Sequence, residues 1–210
     1  GCTERWKGGA ETGATCWRMS YDGRDGWWGK VGSSKNSDQN ANGVGLHNTI
    51  VLMRNLWPYV GINRYNDADM ICVGIRGTGQ SSNDCVYVEF SLSNPTRKNP
   101  GLTSTEAETS FVMWCMWSSP ILLGFDMTKD MTSTDLAHDL ALVKNEELIA
   151  INQDPLGQGA EYIKSADGID YYQKDLANGD VAIAAVNLSD NSANYTISLS
   201  DYDALDKDAS

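Results

Sequence analysis

The sequence predicts an α/β fold built on a parallel sheet and followed by a small antiparallel β unit. Three observations carry that expectation. Short apolar runs ending in polar loops alternate with runs of helical periodicity as far as Asn152. Asp22, Asp69 and Asp126 each fall at or beside such a run, where parallel α/β folds keep their chemistry. Beyond Pro155 the pattern changes to short β-type runs separated by turn signals.

Taken in order, residues 15–20 read as a strand that opens at Asp22 into a loop. Gly23, Gly26, Gly29 and Gly32 punctuate that loop, which also carries Trp27 and Trp28. Leu46, Ile50, Met53, Leu56 and Trp57 recur at helical spacing, and Pro58 stops the pattern. Residues 69–74 form a short apolar run suited to a buried parallel strand. The following loop, 76–104, is rich in Gly, Ser, Asn and Pro, and a loop that long inside a compact domain is usually functional. Thr105 with Glu108 makes a capping box before an apolar helix through 111–117, closed by Pro120. Residues 121–125 suit another buried strand, ending at Asp126. Thr132 or Ser133 caps a helix to about Lys144, and a second short helix leads to Asn152. Repeated βα units demand a parallel sheet, either doubly wound or closed as a barrel. In the last part, residues 169–174, 181–188 and 195–199 read as strands, with turns at Asn178-Gly179 and Ser189-Asp190-Asn191.

Composition narrows the partners. At 210 residues the chain is one domain, or part of one with a small appendage. Seven Trp and nine Tyr against three Phe supply flat apolar faces with polar tips, as stacking on sugar rings requires. The formal net charge of −12, with no basic run, argues against nucleic acid and anionic membrane as partners. No apolar stretch approaches the ~20 residues that cross a bilayer. Cys2, Cys16, Cys72, Cys85 and Cys115 include no CxxC pair, and His47 and His138 are the only histidines, so structural zinc is not expected. Cys2 with Cys16, and Cys72 with Cys85, are pairings open to an oxidising compartment. The odd count leaves a free thiol, expected at Cys115 within the apolar stretch. With neither a signal peptide nor an initiator Met, Gly1 is expected to begin a processed chain or a fragment.

Four segments together carry a resemblance. Cys16-Trp17-Arg18-Met19-Ser20-Tyr21-Asp22 resembles the Trp-Arg-x-x-x-Asp signature of glycoside hydrolase family 27, the α-galactosidase and α-N-acetylgalactosaminidase family. Tyr65-Asn66-Asp67-Ala68-Asp69-Met70 resembles that family's Trp-Asn-Asp-Pro-Asp-Met, with Tyr65 and Ala68 as departures. Ser119-Pro120-Ile121-Leu122-Leu123-Gly124-Phe125-Asp126-Met127 and Ile151-Asn152-Gln153-Asp154-Pro155-Leu156-Gly157 resemble its last barrel strand and the exit into its C-terminal β domain. Order and spacing fit over nearly the whole chain.

The resemblance implies the C-terminal half of a (β/α)8 (TIM) barrel over residues 1–158 and an incomplete antiparallel β-sandwich domain over 159–210. It implies Asp22 as general acid/base, Arg18 as a sugar-binding residue beside it, Asp69 as a hydrogen-bonding partner around the catalytic carboxylates, and Met70 as an apolar wall. Retaining cleavage needs such a carboxyl to hand a proton to the leaving oxygen and later take one from water. Cys2, Glu4 and Trp6 sit where the family contacts the sugar 2-substituent: Glu4 suits a 2-hydroxyl and Trp6 a ring face. There Cys2-Thr3-Glu4-Arg5-Trp6 departs from the usual Cys-Glu-Trp. Asp67 and Asp69 are not followed by the further acids and glycine of a calcium loop, so no metal and no cofactor is assigned.

The family's nucleophile is an Asp in a Lys-x-Asp motif ending the fourth barrel strand. Glu4 and Glu11 are the only carboxylates before Asp22, and neither ends a strand of that rank. The chain is therefore expected to begin near strand five, to need a complementary N-terminal half of the barrel carrying the nucleophile, and to be inactive and poorly stable alone. The implied activity is removal of terminal α-galactosyl units with net retention. α-N-Acetylgalactosaminidase and β-L-arabinopyranosidase are near alternatives. A non-catalytic carbohydrate-binding protein is the reading from another class, and retained Asp22 speaks against it. A secreted or extracytoplasmic location follows from the acidic composition, the open disulfide pairings and the family's usual substrates; the sequons at Asn187 and Asn194 add nothing to it.

Overall fold

The computed structural model describes residues 4–20, 22, 23, 25–27, 44–75, 101–124, 128, 134–189, 191–198 and 202. Helix α1 (Arg5–Glu11) leads into strand β1 (Cys16–Arg18). Gly9 makes that join compact: a Cβ there would fall 2.4 Å from the Trp17 indole, so only glycine lets the helix lie on the ring. After β1 come helix α2 (Leu46–Met53), a 3-10 turn (Trp57–Tyr59) and strand β2 (Tyr65–Asp67). β1 and β2 pair in parallel, Cys16 to Tyr65, Trp17 to Asn66 and Arg18 to Asp67, which makes a βαβ unit. Alternation sorts the two faces. Trp17 and Asn66 point into the core, whereas Cys16 is exposed and Arg18, Tyr65 and Asp67 are half-buried.

Leu46, Ile50 and Met53 bury one face of α2 as their spacing predicts, but the helix ends at Met53 rather than at Trp57. Pro58 falls at the start of the 3-10 turn, where no donor N–H is needed. The parallel strand expected at 69–74 lies instead at Tyr65–Asp67. Asp69 has φ 77° and Gly74 φ 86°, and these left-handed residues break an extended run. Only Ile71 keeps a parallel bridge, to Leu123, which is all that remains of the two expected strands among the described residues. Phe125, Asp126, Trp28 and the expected loop from 76 to 100 lie outside the described residues.

Helix α3 (Ser104–Met116) runs through the centre of the core, with Phe111, Met113, Trp114, Cys115 and Met116 all buried. Its capping box is Thr103 with Glu106, two residues before the expected pair. Glu106 N–H donates to the Thr103 hydroxyl at 3.3 Å, and Thr103 N–H donates to the Glu106 carboxylate at 2.7 Å. Both Thr-x-x-Glu pairs are locally competent. The earlier one wins because Leu102 is buried and its N–H is held by Asp25 at 2.8 Å, which aims the chain into the helix at Thr103. Helices α4 (Thr134–Val143) and α5 (Glu146–Asn152) follow where expected, α5 capped by Asn145; Thr132 and Ser133 lie outside the described residues.

The last part is an antiparallel sheet in the order β3 (Glu161–Ala166), β4 (Ile169–Asp175), β5 (Val181–Asn187). β3 was not expected, yet its turn is plain in the sequence: Asp167-Gly168, at φ 52° and 80°, is the two-residue hairpin dipeptide. Conversely, residues 195–198 form no strand; Tyr195 and Ile197 are exposed, so their alternation reflects no buried face. The sheet shares one core with the helices, through Tyr172, Ala184 and Val186.

Two polar ties reinforce that junction. Lys174, buried on β4, donates to Ser118 Oγ at 2.7 Å, to the Cys115 carbonyl at 3.1 Å and to the Ile151 carbonyl. Burial pushes its pKa down to about 8, while three acceptors match the three N–H bonds of an ammonium. Arg54, just past α2, forks onto Asp170 of β4. No helix among the described residues is long and apolar enough to cross a membrane.

Candidate active site

Because β1 and β2 are adjacent and parallel, the loops leaving their C-terminal ends emerge together. The first carries Asp22 and Gly23, the second Asp69 and Met70. Arg18, the last residue of β1, joins them: its Nη2 donates to Asp22 Oδ1 at 2.7 Å and to Asp69 Oδ2 at 2.8 Å. The same Asp69 oxygen also accepts the Gly23 N–H. Asp69 is 10% exposed and Asp22 is 57% exposed. One carboxylate is thus a buried anchor, and the other is presented to whatever enters.

The anchor is itself held. Asp69 N–H donates to Asp67 Oδ1 at 2.8 Å, and Trp114 Nε1 donates to the Asp69 carbonyl at 3.4 Å. Arg5 of α1 reaches the Arg18 carbonyl at 3.3 Å. Beneath the strands Asn66 organises a buried network. It accepts from Trp17 Nε1 at 2.7 Å and donates to the Leu56 carbonyl at 2.7 Å, while Ser119 Oγ donates to its carbonyl at 3.0 Å and accepts from Ala68 N–H at 2.9 Å. Satisfied buried groups of this kind make a rigid floor.

Of the residues singled out from the sequence, the structure brings Arg18, Asp22 and Asp69 into one cluster. Met70 is half-buried directly after it, and its carbonyl faces Gly23. Glu4 instead pairs with Lys7 at 2.8 Å on the exposed side of α1, and Trp6 packs half-buried against the core. Cys2 lies outside the described residues. Arg5 was given no role from the sequence, Gly23 only that of loop punctuation, and Asp67 only that of a rejected metal ligand; the Asp-x-Asp spacing was the one available signal, since it allows a side chain to close a turn on the residue two ahead. The described residues contain no group of three or more His, Cys, Asp or Glu placed to hold a metal ion.

Cys16 and Cys115 are free thiols, and Cys2 and Cys85, which belong to the two pairings left open by the sequence, lie outside the described residues. Cys115 is fully buried, and burial pushes its thiol up to about 12. Cys16 is exposed, its thiol raised by partial burial and by nearby Asp67. Iodoacetamide at pH 8 is expected to label Cys16 while sparing Cys115 until denaturant is added, read by peptide mass spectrometry. Equal labelling of both in the native state would contradict this packing.

No family model matches the chain. An alpha-galactosidase from Cyamopsis tetragonoloba is 29% identical over 143 residues, 68% of this chain and 28% of that protein. A solved structure from Bacteroides fragilis, provisionally named an alpha-galactosidase/melibiase, matches with a TM-score of 0.67 at 32% identity, covering 88% of this chain and 33% of that one. A GH27 β-L-arabinopyranosidase from Geobacillus stearothermophilus matches with a TM-score of 0.66 at 21% identity, covering 94% of this chain and 38% of that one. The chain thus spans about a third of the length of these relatives. The arginine and two carboxylates gathered at parallel strand ends thus lie in an α/β chain that is similar over most of its length to alpha-galactosidases. The chain also shares its fold with structures of glycoside hydrolase family 27.

Proposed function

We propose that this chain forms the acid/base side of a retaining exo-glycosidase that removes terminal α-galactosyl units from oligosaccharides or glycans. The observation that carries the reading is the Asp22–Arg18–Asp69 cluster at two adjacent parallel strand ends, with Asp22 left open to solvent. In the first step Asp22, protonated, gives its proton to the glycosidic oxygen as a facing carboxylate bonds to the anomeric carbon and the aglycone leaves. In the second step Asp22, now ionised, takes a proton from the water that displaces that carboxylate. Arg18 favours the ionised form and an ionised nucleophile across the pocket favours the protonated one, so the two charges set opposing pulls on Asp22.

The nucleophile comes with the complementary N-terminal half of the (β/α)8 barrel, and residues 159–210 belong to a larger antiparallel β-sandwich domain. The half-exposed sheet face of Arg18, Tyr65 and Asp67, and exposed Leu122 and Leu123, support a neighbour on that side. A secreted or extracytoplasmic location suits such a substrate.

The test is turnover by the full-length protein of aryl α-galactoside, α-N-acetylgalactosaminide and β-L-arabinopyranoside, with the first-formed anomer read by NMR. The expected result is preference for the α-galactoside with α-galactose released first. Inversion would overturn the mechanism. Galactose binding without turnover of any substrate would overturn the enzyme in favour of a carbohydrate-binding protein.

A further inference from the structure

Asp69 stands in the left-handed region, at φ 77°, where a residue with a side chain persists only if its surroundings hold it. The hold comes from Asp67. Its Oδ1 accepts the Asp69 N–H at 2.8 Å, closing a side-chain turn over two residues. That turn sends the Asp69 carboxylate back towards β1, where Oδ2 takes both the Gly23 N–H and Arg18 Nη2. Asp67 is also tied to β1 directly: it is the register partner of Arg18, and its carbonyl accepts the Met19 N–H at 3.0 Å. The contact it sets up has little slack. A Cβ on Gly23 would lie 3.3 Å from Asp69 Oδ2 and 3.3 Å from the Met70 carbonyl.

We infer that Asp67 is a positioning residue for the reaction: by closing the turn on Asp69 it locks the Arg18–Asp69 latch, and through Arg18 it sets where the Asp22 carboxylate stands. It acts through Asp69 and Arg18 rather than on substrate. The inference rests on the reading of Asp22 as acid/base.

What the turn requires of residue 67 is an acceptor oxygen, and an amide oxygen serves as well as a carboxylate. In the full-length protein, Asp67→Asn is therefore expected to keep kcat/KM within about threefold of the parent, whereas Asp67→Ala loses it by one to two orders of magnitude, mostly in kcat. The alkaline limb of the Asp67→Ala pH–rate profile should move to higher pH as Arg18 is freed from its place beside Asp22, a change that mere loosening of the fold would not produce. Asp22→Asn is measured in parallel. If that variant is fully active, the acid/base reading itself fails. If Asp22→Asn is impaired but Asp67→Ala keeps the parental rate and pH profile, the positioning inference alone is overturned. Should Asp67→Ala not fold, Asp67→Asn still decides: a folded Asp67→Asn with a large loss means that charge rather than turn closure matters, which also overturns it.

Discussion

Asp22→Asn in the full-length protein is expected to lower kcat/KM on substrates with poor leaving groups by a factor of about 100 to 10,000, and to spare activated aryl glycosides far more. The contrast follows from what a general acid does. A sugar or alkyl leaving group departs only when its oxygen is protonated, whereas a nitrophenolate departs unaided. The substitution is well suited to isolating that step. An asparagine oxygen can still accept from Arg18 Nη2, now bonded to Asp22 at 2.7 Å, so the latch is kept while the transferable proton is lost. With Asp22 57% exposed, little folding energy rides on it. Steady-state kinetics on a paired set of substrates is the measurement, and an equal loss on both would remove Asp22 from the acid role.

The largest effect on stability is expected at Asp170. Its carboxylate is fully buried and accepts Arg54 Nε at 2.7 Å, Arg54 Nη2 at 2.9 Å and the Tyr172 hydroxyl at 3.2 Å. Burial pushes the Tyr172 phenol well above its ordinary pKa, so it remains a donor across the working range. Arg54 in turn lies over the Tyr162 ring, 5.4 Å from its centroid. Every group facing Asp170 is a donor, and Asp170→Asn turns an amide N–H₂ towards one of them. Breaking a buried pair from one side costs about 3–5 kcal/mol. The loss should appear as a lower Tm, because Arg54 ends α2 while Asp170 belongs to β4 and their pair clamps the β sheet to the helices. Replacing both partners together with apolar residues, as in Arg54→Met with Asp170→Leu, should cost less than Asp170→Asn alone. A Tm unchanged in the single variant would show that the apolar junction through Tyr172 and Val186 suffices without the ion pair.

Legibility divided along a physical line. Helices were readable wherever the apolar residues set both pattern and packing: Leu46, Ile50 and Met53 mark the buried stripe of α2. Cys115 was readable as a buried free thiol because every neighbour in its run is apolar. Arg18, Asp22 and Asp69 were selected from motifs, and strand ends brought them together. Where two local solutions were equal, the sequence was silent. Thr103 and Thr105 both begin a capping box, and the choice between them rests on Asp25 holding Leu102, 77 residues away. Apolarity at Ile71, Cys72 and Val73 signalled burial and was mistaken for extension, since no local rule says that Asp69 breaks the strand.

What the sequence determined by itself was most of the helices, the alternation that makes a parallel sheet, and the residue types gathered for chemistry. Only the tertiary structure decided which residues of β2 pair with β1, which Thr starts α3, and that Asp67 is the residue bracing Asp69. Those outcomes depend on partners far apart in the chain, whose contact energies exist only after the chain has brought them within hydrogen-bond reach.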